Sequence, residues 1–251
     1  MTRPPVADPW ATLRAATRAR IGLGRCGDGL PTAPLLDFQL AHARARDAVH
    51  TPFDAPAVAA ALDGAEGVPA VVEVRSAAPD RATYLKRPDL GRRLAPESAA
   101  RLTPGTPDIV FVIADGLSAT AVHAHAAPTL TAVLARLAGW RIGPVVLAHQ
   151  ARVALGDAIG ERLGAAMVAV LIGERPGLSA ADSLGIYLTL DPRPGRSDAE
   201  RNCLSNIHPP DGLGYDAAAD TLVRLMHAAR ERGLTGVGLK DEGAALPKPQ
   251  T

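Results

Sequence analysis

Asp108-Ile109-Val110-Phe111-Val112-Ile113 is an unbroken apolar run behind one acidic residue, and Ala114-Asp115-Gly116-Leu117-Ser118 follows it at once. A strand with one face in water alternates apolar and polar residues, whereas a run without polar interruption belongs to a strand buried on both faces. Three more runs share this texture: Arg141 to Ala148 (RIGPVVLA), Ala166 to Ile172 (AMVAVLI) and Gly185 to Leu190 (GIYLTL). Helical patterns at Ala119 to Ala138 and Leu155 to Leu163 separate the first three runs, and another covers Asp216 to Arg232. This order predicts an α/β fold with a mostly parallel sheet and helices on both faces.

The texture differs before about residue 105. Trp10 to Arg20, Ala33 to Val49, Ala55 to Leu62 and Pro96 to Leu102 read as helices, and only Pro69 to Arg75 (PAVVEVR) reads as a strand. Two units are therefore expected, a mainly helical segment over 1–104 and the sheet domain over 105–251. Between the first two helices lies Ile21 to Gly29 (IGLGRCGDG), which matches G-x-G-x-x-G with Asp47 about twenty positions on. A dinucleotide fingerprint needs a buried strand before its glycines and a helix opening directly after them. Here a helix precedes them, and Thr32, between Pro31 and Pro34, is the expected N-cap of the next helix. A helix-loop-helix fits the stretch better.

Bulk properties narrow the function. Twenty-seven Lys and Arg face 26 Asp and Glu in 251 residues, a formal charge of +1, so nothing favours nucleic acid or an anionic membrane as partner. The first ten residues hold no apolar signal core, and the longest apolar run, Ala165 to Ile172, is far too short to span a bilayer, which predicts a soluble, cytosolic chain. Cys26 and Cys203 are expected to be free thiols. Aromatic residues make up 3% of the chain, so its core must be built from Ala, Leu and Val.

Parallel sheets place ligands beyond the carboxyl ends of their strands. Those ends carry Asp115-Gly116-Leu117-Ser118, where a glycine turn opening a helix offers free N–H groups; His149-Gln150-Ala151-Arg152-Val153; and Gly173-Glu174-Arg175-Pro176-Gly177. The loop Asp191 to Arg201 and the stretch Asn202-Cys203-Leu204-Ser205-Asn206-Ile207-His208 follow the fourth run, and all are expected to converge on one edge. Each residue also has an ordinary structural reading: Asp115 as a cap, Glu174 and Arg175 as a solvated pair, Cys203 as a small buried hydrophobe. His208 lacks a partner at metal-ligand spacing, and His123 and His125 are expected on a helix surface without a third ligand. Neither G-x-S-x-G nor a phosphate-binding P-loop occurs. The residues alone leave open a nucleotide- or NAD-binding oxidoreductase and a purely structural subunit.

Five blocks in order carry a resemblance: RIGLGRCGDGLPTAPLLDFQLAHARARDAV, Tyr84 to Leu94 (YLKRPDLGRRL), IADGLSATAV, GERPGLSAADSLGIYL and NCLSNIHPP. From about Trp10 to about Glu242 the chain resembles the small subunit of ethanolamine ammonia-lyase. The resemblance implies a Rossmann-like sheet that covers the lower face of adenosylcobalamin. It also implies a TIM-barrel large subunit carrying the substrate and the radical chemistry that converts ethanolamine to acetaldehyde and ammonia, as part of ethanolamine catabolism. Catalytic residues are then expected on the large subunit and none on this chain, and six large chains are expected to assemble with six small ones. Matched position by position, the implied cobalamin contacts are Val153, Glu174 and Cys203. The D-x-H-x-x-G motif of enzymes that replace the cofactor's benzimidazole does not occur, so the coenzyme is expected to keep its own base on cobalt. Family members often carry a long polar leader linked to a bacterial microcompartment; about nine residues precede the first expected helix here, which argues for the cytoplasm. The glycine-rich helix-loop-helix is expected at a subunit interface.

Overall fold

The sheet grows from β2 (Ile109–Ala114), whose six residues are all buried. In the computed structural model, which describes residues 8–17, 19–64, 67–241 and 243, the chain runs through α1 (Ala11–Ala15), α2 (Thr32–His50), α3 (Ala55–Leu62), β1 (Val71–Arg75), α4 (Arg81–Lys86) and α5 (Pro96–Ala99) before reaching β2. After β2 come α6 (Ala119–Leu134), β3 (Val145–His149), α7 (Leu155–Leu163), β4 (Met167–Gly173), β5 (Leu184–Leu190), β6 (Asn202–Ile207) and α8 (Tyr215–Arg232). Arg18 in the first expected helix, Glu242 at the end of the resemblance, the first seven residues and residues 244–251 lie outside the described residues.

The α/β class is as expected, and the strand order is β1-β3-β2-β4-β5-β6. β1, β3, β2 and β4 are parallel, but β5 runs antiparallel to β4 and β6 antiparallel to β5, so the expected mostly parallel sheet is a mixed one. The reason is the connection. No helix intervenes between Gly173 and Leu184, and a short link without a crossover element returns the chain antiparallel. β1 comes from the segment before residue 105 and pairs with β3 from Val71 opposite Val145 to Arg75 opposite His149. The short α1 and the helix start at Thr32 also depart from expectation: Pro31 holds the cap position of α2, and no side chain caps that end.

Alternation along the strands builds two cores. Phe111, Ile113, Leu147, Leu171, Ile186 and Leu204 point to the face covered by α3, α6 and α8. Val110, Val112, Val146, Val168 and Val170 point to the other face with Leu155, Ile159 and Leu163 of α7. α7 packs on β4, whereas β5 and β6 take their main helix contacts from α6 and α8 on the first face. The second face of β5 and β6 therefore presents Tyr187, Cys203 and Ser205, of which Cys203 and Ser205 are exposed. α2 buries only Ala48 and exposes Leu35, Leu36, Phe38 and Leu40. Gly22, Gly24 and Gly27 join α1 to α2 with positive φ, and no strand precedes them among the described residues. No helix of the described residues is long and apolar enough to cross a membrane.

Candidate functional site

Asp115, at the carboxyl end of β2, is 1% exposed. Its carboxylate accepts hydrogen bonds from the backbone N–H of Gln150 and of Ala151, each at 3.0 Å, and lies 3.5 Å from the Arg81 guanidinium. Burial pushes its pKa upward against these bonds. Asp115 thus ties the end of β2 to the loop after β3; it is not the cap of α6. That role belongs to Ser118, whose Oγ accepts from the Ala121 N–H and donates to the Ala181 carbonyl. Two of the N–H groups expected to be free here are engaged: Leu117 donates to the Gly173 carbonyl at 2.9 Å and Ser118 to that of Asp115 at 3.2 Å. The glycine turn is a splice between β2 and β4.

Beyond this splice opens a cleft of about 400 Å³, lined among others by Tyr84, Leu117, Arg152, Val153, Glu174 and Tyr187. A second cleft of about 270 Å³ shares Arg152, Val153 and Tyr187 with it and extends to Arg92, Ser197 and Asp198. Val153 is half-buried at the edge of the second core. Glu174, the first residue after β4, accepts from Ser183 Oγ at 2.5 Å, from Ser205 Oγ and from the Asn206 N–H at 3.3 Å. Cys203 stands opposite Tyr187 in the β5–β6 pairing. Desolvation and the nearby Glu174 charge hold the Cys203 thiol above its ordinary pKa, so it is protonated at neutral pH. It is also a free cysteine at an exposed position, not a buried hydrophobe.

Val153 and Glu174 thus line one cleft with Tyr187, and Cys203, 50 residues on from Val153, is the partner of Tyr187 across β5 and β6. The expected convergence of all loops is only partly met. Because β5 is antiparallel, Leu190 pairs with Met167 and the Asp191 loop starts at the opposite edge of the sheet. Only its later part, Arg196 to Asp198, reaches the second cleft.

The histidines are occupied elsewhere. His149 Nε2 lies 2.7 Å from Glu73 Oε1, and His208 Nε2 lies 2.7 Å from Asn206 Oδ1. His123 Nε2 accepts from the Asp54 N–H at 2.9 Å. His125, expected on a helix surface, is 5% exposed, with Nδ1 2.9 Å from the Tyr215 hydroxyl, because α8 packs over that face of α6. Among the described residues no three His, Cys, Asp or Glu side chains form a group that could hold a metal ion.

Sequence reasoning missed Tyr84, which is fully buried and donates its hydroxyl to the Ala151 carbonyl at 2.9 Å. The Arg152 guanidinium lies 4.4 Å from its ring centroid and that of Arg81 at 5.0 Å. Tyr187 was also missed, although strand alternation puts it on the face opposite Ile186 and Leu188.

Residues 7–240 match the model of the family described as Ethanolamine ammonia-lyase light chain (EutC). The chain is 55% identical over 248 residues to an ethanolamine ammonia-lyase small subunit of Ralstonia nicotianae, covering 96% of this chain and 90% of that protein. Proteins of the same name from Rhodopseudomonas palustris (57% over 249 residues; 96% and 94% covered) and Azotobacter vinelandii (54% over 249 residues; 95% and 90% covered) are similar.

Proposed function

Because this chain belongs to the ethanolamine ammonia-lyase light chain family, we propose that it is the small subunit of an adenosylcobalamin-dependent ethanolamine ammonia-lyase and forms one wall of the coenzyme site. The observation that carries this reading is that Val153 and Glu174 line one cleft with Tyr187, whose partner across the β5–β6 pairing is Cys203, beside the face of β5 and β6 opposite α6 and α8.

The residues suit a corrin coenzyme. A carboxylate offers about four acceptor positions, and protein donors take three of those on Glu174, which leaves one for a carboxamide at the corrin edge. Val153 supplies an apolar surface between the two clefts, and the neutral Cys203 thiol permits close approach without introducing charge. Neither His149 nor His208, the histidines at the strand ends, is free to replace the coenzyme's own base, since Glu73 and Asn206 hold them. When bound, adenosylcobalamin would supply the radical chemistry. This chain's residues orient the cofactor and keep water from its lower side, while substrate and proton handling belong to the large subunit. Neither cleft is large enough to enclose a whole corrin, so a partner must close the site. Residues before about 105, with the exposed apolar residues of α2 in particular, fit contacts in an assembly of six large and six small chains in the cytoplasm.

Co-expression with a candidate large subunit tests the reading. The pair is expected to produce acetaldehyde from ethanolamine only when adenosylcobalamin is added, and the purified small chain is expected to produce none. Turnover by the small chain alone would overturn it. Glu174→Gln replaces an acceptor oxygen by a donor; coenzyme affinity of the assembled complex is expected to fall about tenfold, the value of one charge-assisted hydrogen bond. Unchanged affinity in a complex that still assembles, repeated at Val153 and Cys203, would favour a purely structural subunit.

A further inference from the structure

Arg152 is built into a fixed place. Its backbone N–H donates to the Gly91 carbonyl at 2.8 Å, and the Leu155 N–H donates to its own carbonyl at 2.8 Å. Its guanidinium lies on the Tyr84 ring, and its stem passes Gly91, where a side-chain carbon would come within 2.9 Å of Arg152 Cγ. The charge, however, is unanswered. Arg81 has Asp115 and the Gly116 carbonyl, Arg196 has Asp191 and Glu200, and Arg201 has Asp157. Arg152 forms no ion pair with any described residue, its Nε is buried without a hydrogen-bond partner, and its one side-chain bond, to the Tyr84 carbonyl, is 3.5 Å long.

The carboxylates that line the clefts do not pair with Arg152. Glu174 takes three internal donors, and Asp198, in the second cleft, lies 3.4 Å from Arg201. Arg152 lines both clefts, with Arg92 beside it in the second and Arg175 in the first. A half-buried guanidinium with open donors and no counter-charge is costly unless an anion completes it. The carboxamides around a cobalamin are neutral; its one peripheral anion is the phosphodiester of the nucleotide loop. We propose that Arg152, held flat by Tyr84, receives that phosphodiester and so selects corrinoids with a complete nucleotide loop. The fork of a guanidinium matches two phosphate oxygens in one plane. The inference rests on the coenzyme reading above.

The test uses the assembled complex and two ligands, adenosylcobalamin and adenosylcobinamide, which lacks the phosphodiester, ribose and base. Binding is followed by the absorption spectrum of the corrin. Arg152→Gln is expected to weaken adenosylcobalamin about tenfold or more and to leave adenosylcobinamide within about twofold, with Arg152→Lys in between because it keeps charge but loses the fork. Equal losses for both ligands, no loss for either, or a defect confined to assembly would each overturn the proposal; the last would mean that a carboxylate of the large subunit answers the charge. If the unmodified complex binds neither corrinoid, the coenzyme reading itself fails. If Glu174→Gln weakens binding while Arg152→Gln does not discriminate, only the role of Arg152 fails.

Discussion

Asp157→Asn is expected to destabilise the folded chain by about 3 kcal/mol or more, the cost of breaking a buried ion pair from one side. Asp157 sits in the first turn of α7 and Arg201 precedes β6; their side chains are each 1% exposed. The contact is bidentate, at 2.6 and 2.7 Å, and the guanidinium also donates to Thr189 Oγ1 at 2.9 Å and to the Arg196 carbonyl at 3.0 Å. Asparagine keeps the shape but leaves a buried cation facing an amide. The damage extends to function, because Arg201 holds the loop whose Arg196, Ser197 and Asp198 line the second cleft. Urea unfolding monitored by circular dichroism measures the effect. The double variant Asp157→Leu, Arg201→Met is expected to recover much of the loss, since it removes both charges. A loss below about 1 kcal/mol in the single variant would place the pair in the weak class of solvated surface bridges.

Gly173→Ala is expected to cost a similar amount, about 3 kcal/mol, through a different mechanism. A Cβ at Gly173 would lie 2.0 Å from the Ser118 carbonyl oxygen and 2.7 Å from that of Asp115. Both are backbone atoms that no side-chain rotation can move. The contact is reciprocal: Gly116, at φ +55°, would place a Cβ 2.3 Å from the Gly173 carbonyl oxygen. The end of β4 and the start of α6 therefore meet backbone to backbone, and one methyl group must push them apart. Glu174 is the next residue, so the variant is expected to lose coenzyme affinity even where it folds. The comparison is Gly139→Ala, where φ is +80° but nothing lies within 4 Å; it carries only the strain of the left-handed backbone, about 1 kcal/mol. Equal unfolding midpoints for the two variants would refute the close-approach argument.

Much of the fold was legible because its central strands, β2 and β4, are wholly apolar. The run behind Asp108 became β2 with a shift of one residue, and Leu155 to Leu163 and Ala55 to Leu62 are helices with the expected bounds. β6 escaped because its outward residues meet no helix: Asn202, Cys203, Ser205 and Asn206 are polar or small, so only Leu204 and Ile207 are buried and the stretch resembles a loop. The direction of β5 was hidden for another reason. An apolar run records that both faces are covered, not which way the strand points.

The candidate site divides along the same line. Glu174 and the Arg152-Val153 step stood out in sequence at strand ends, where open sheets bind ligands, and the resemblance singled out Val153 and Glu174. The pairing of Arg152 with Tyr84 did not, because an arginine after a strand and a tyrosine in a short helix are ordinary until one is laid on the other at 4.4 Å. Asp115 looked like a cap and became a buried tie between two strand ends, since its acceptors face Gln150 and Ala151, 35 and 36 residues away.

By itself the sequence determined the α/β class, most element positions and the family, because apolar periodicity and five ordered blocks are properties of the chain as written. Only the tertiary structure decided that Val153 and Glu174 line one cleft with Tyr187, the partner of Cys203 across β5 and β6, and that Arg152 carries a charge no described side chain balances. Both depend on distances between residues far apart along the chain, which strand order and packing set.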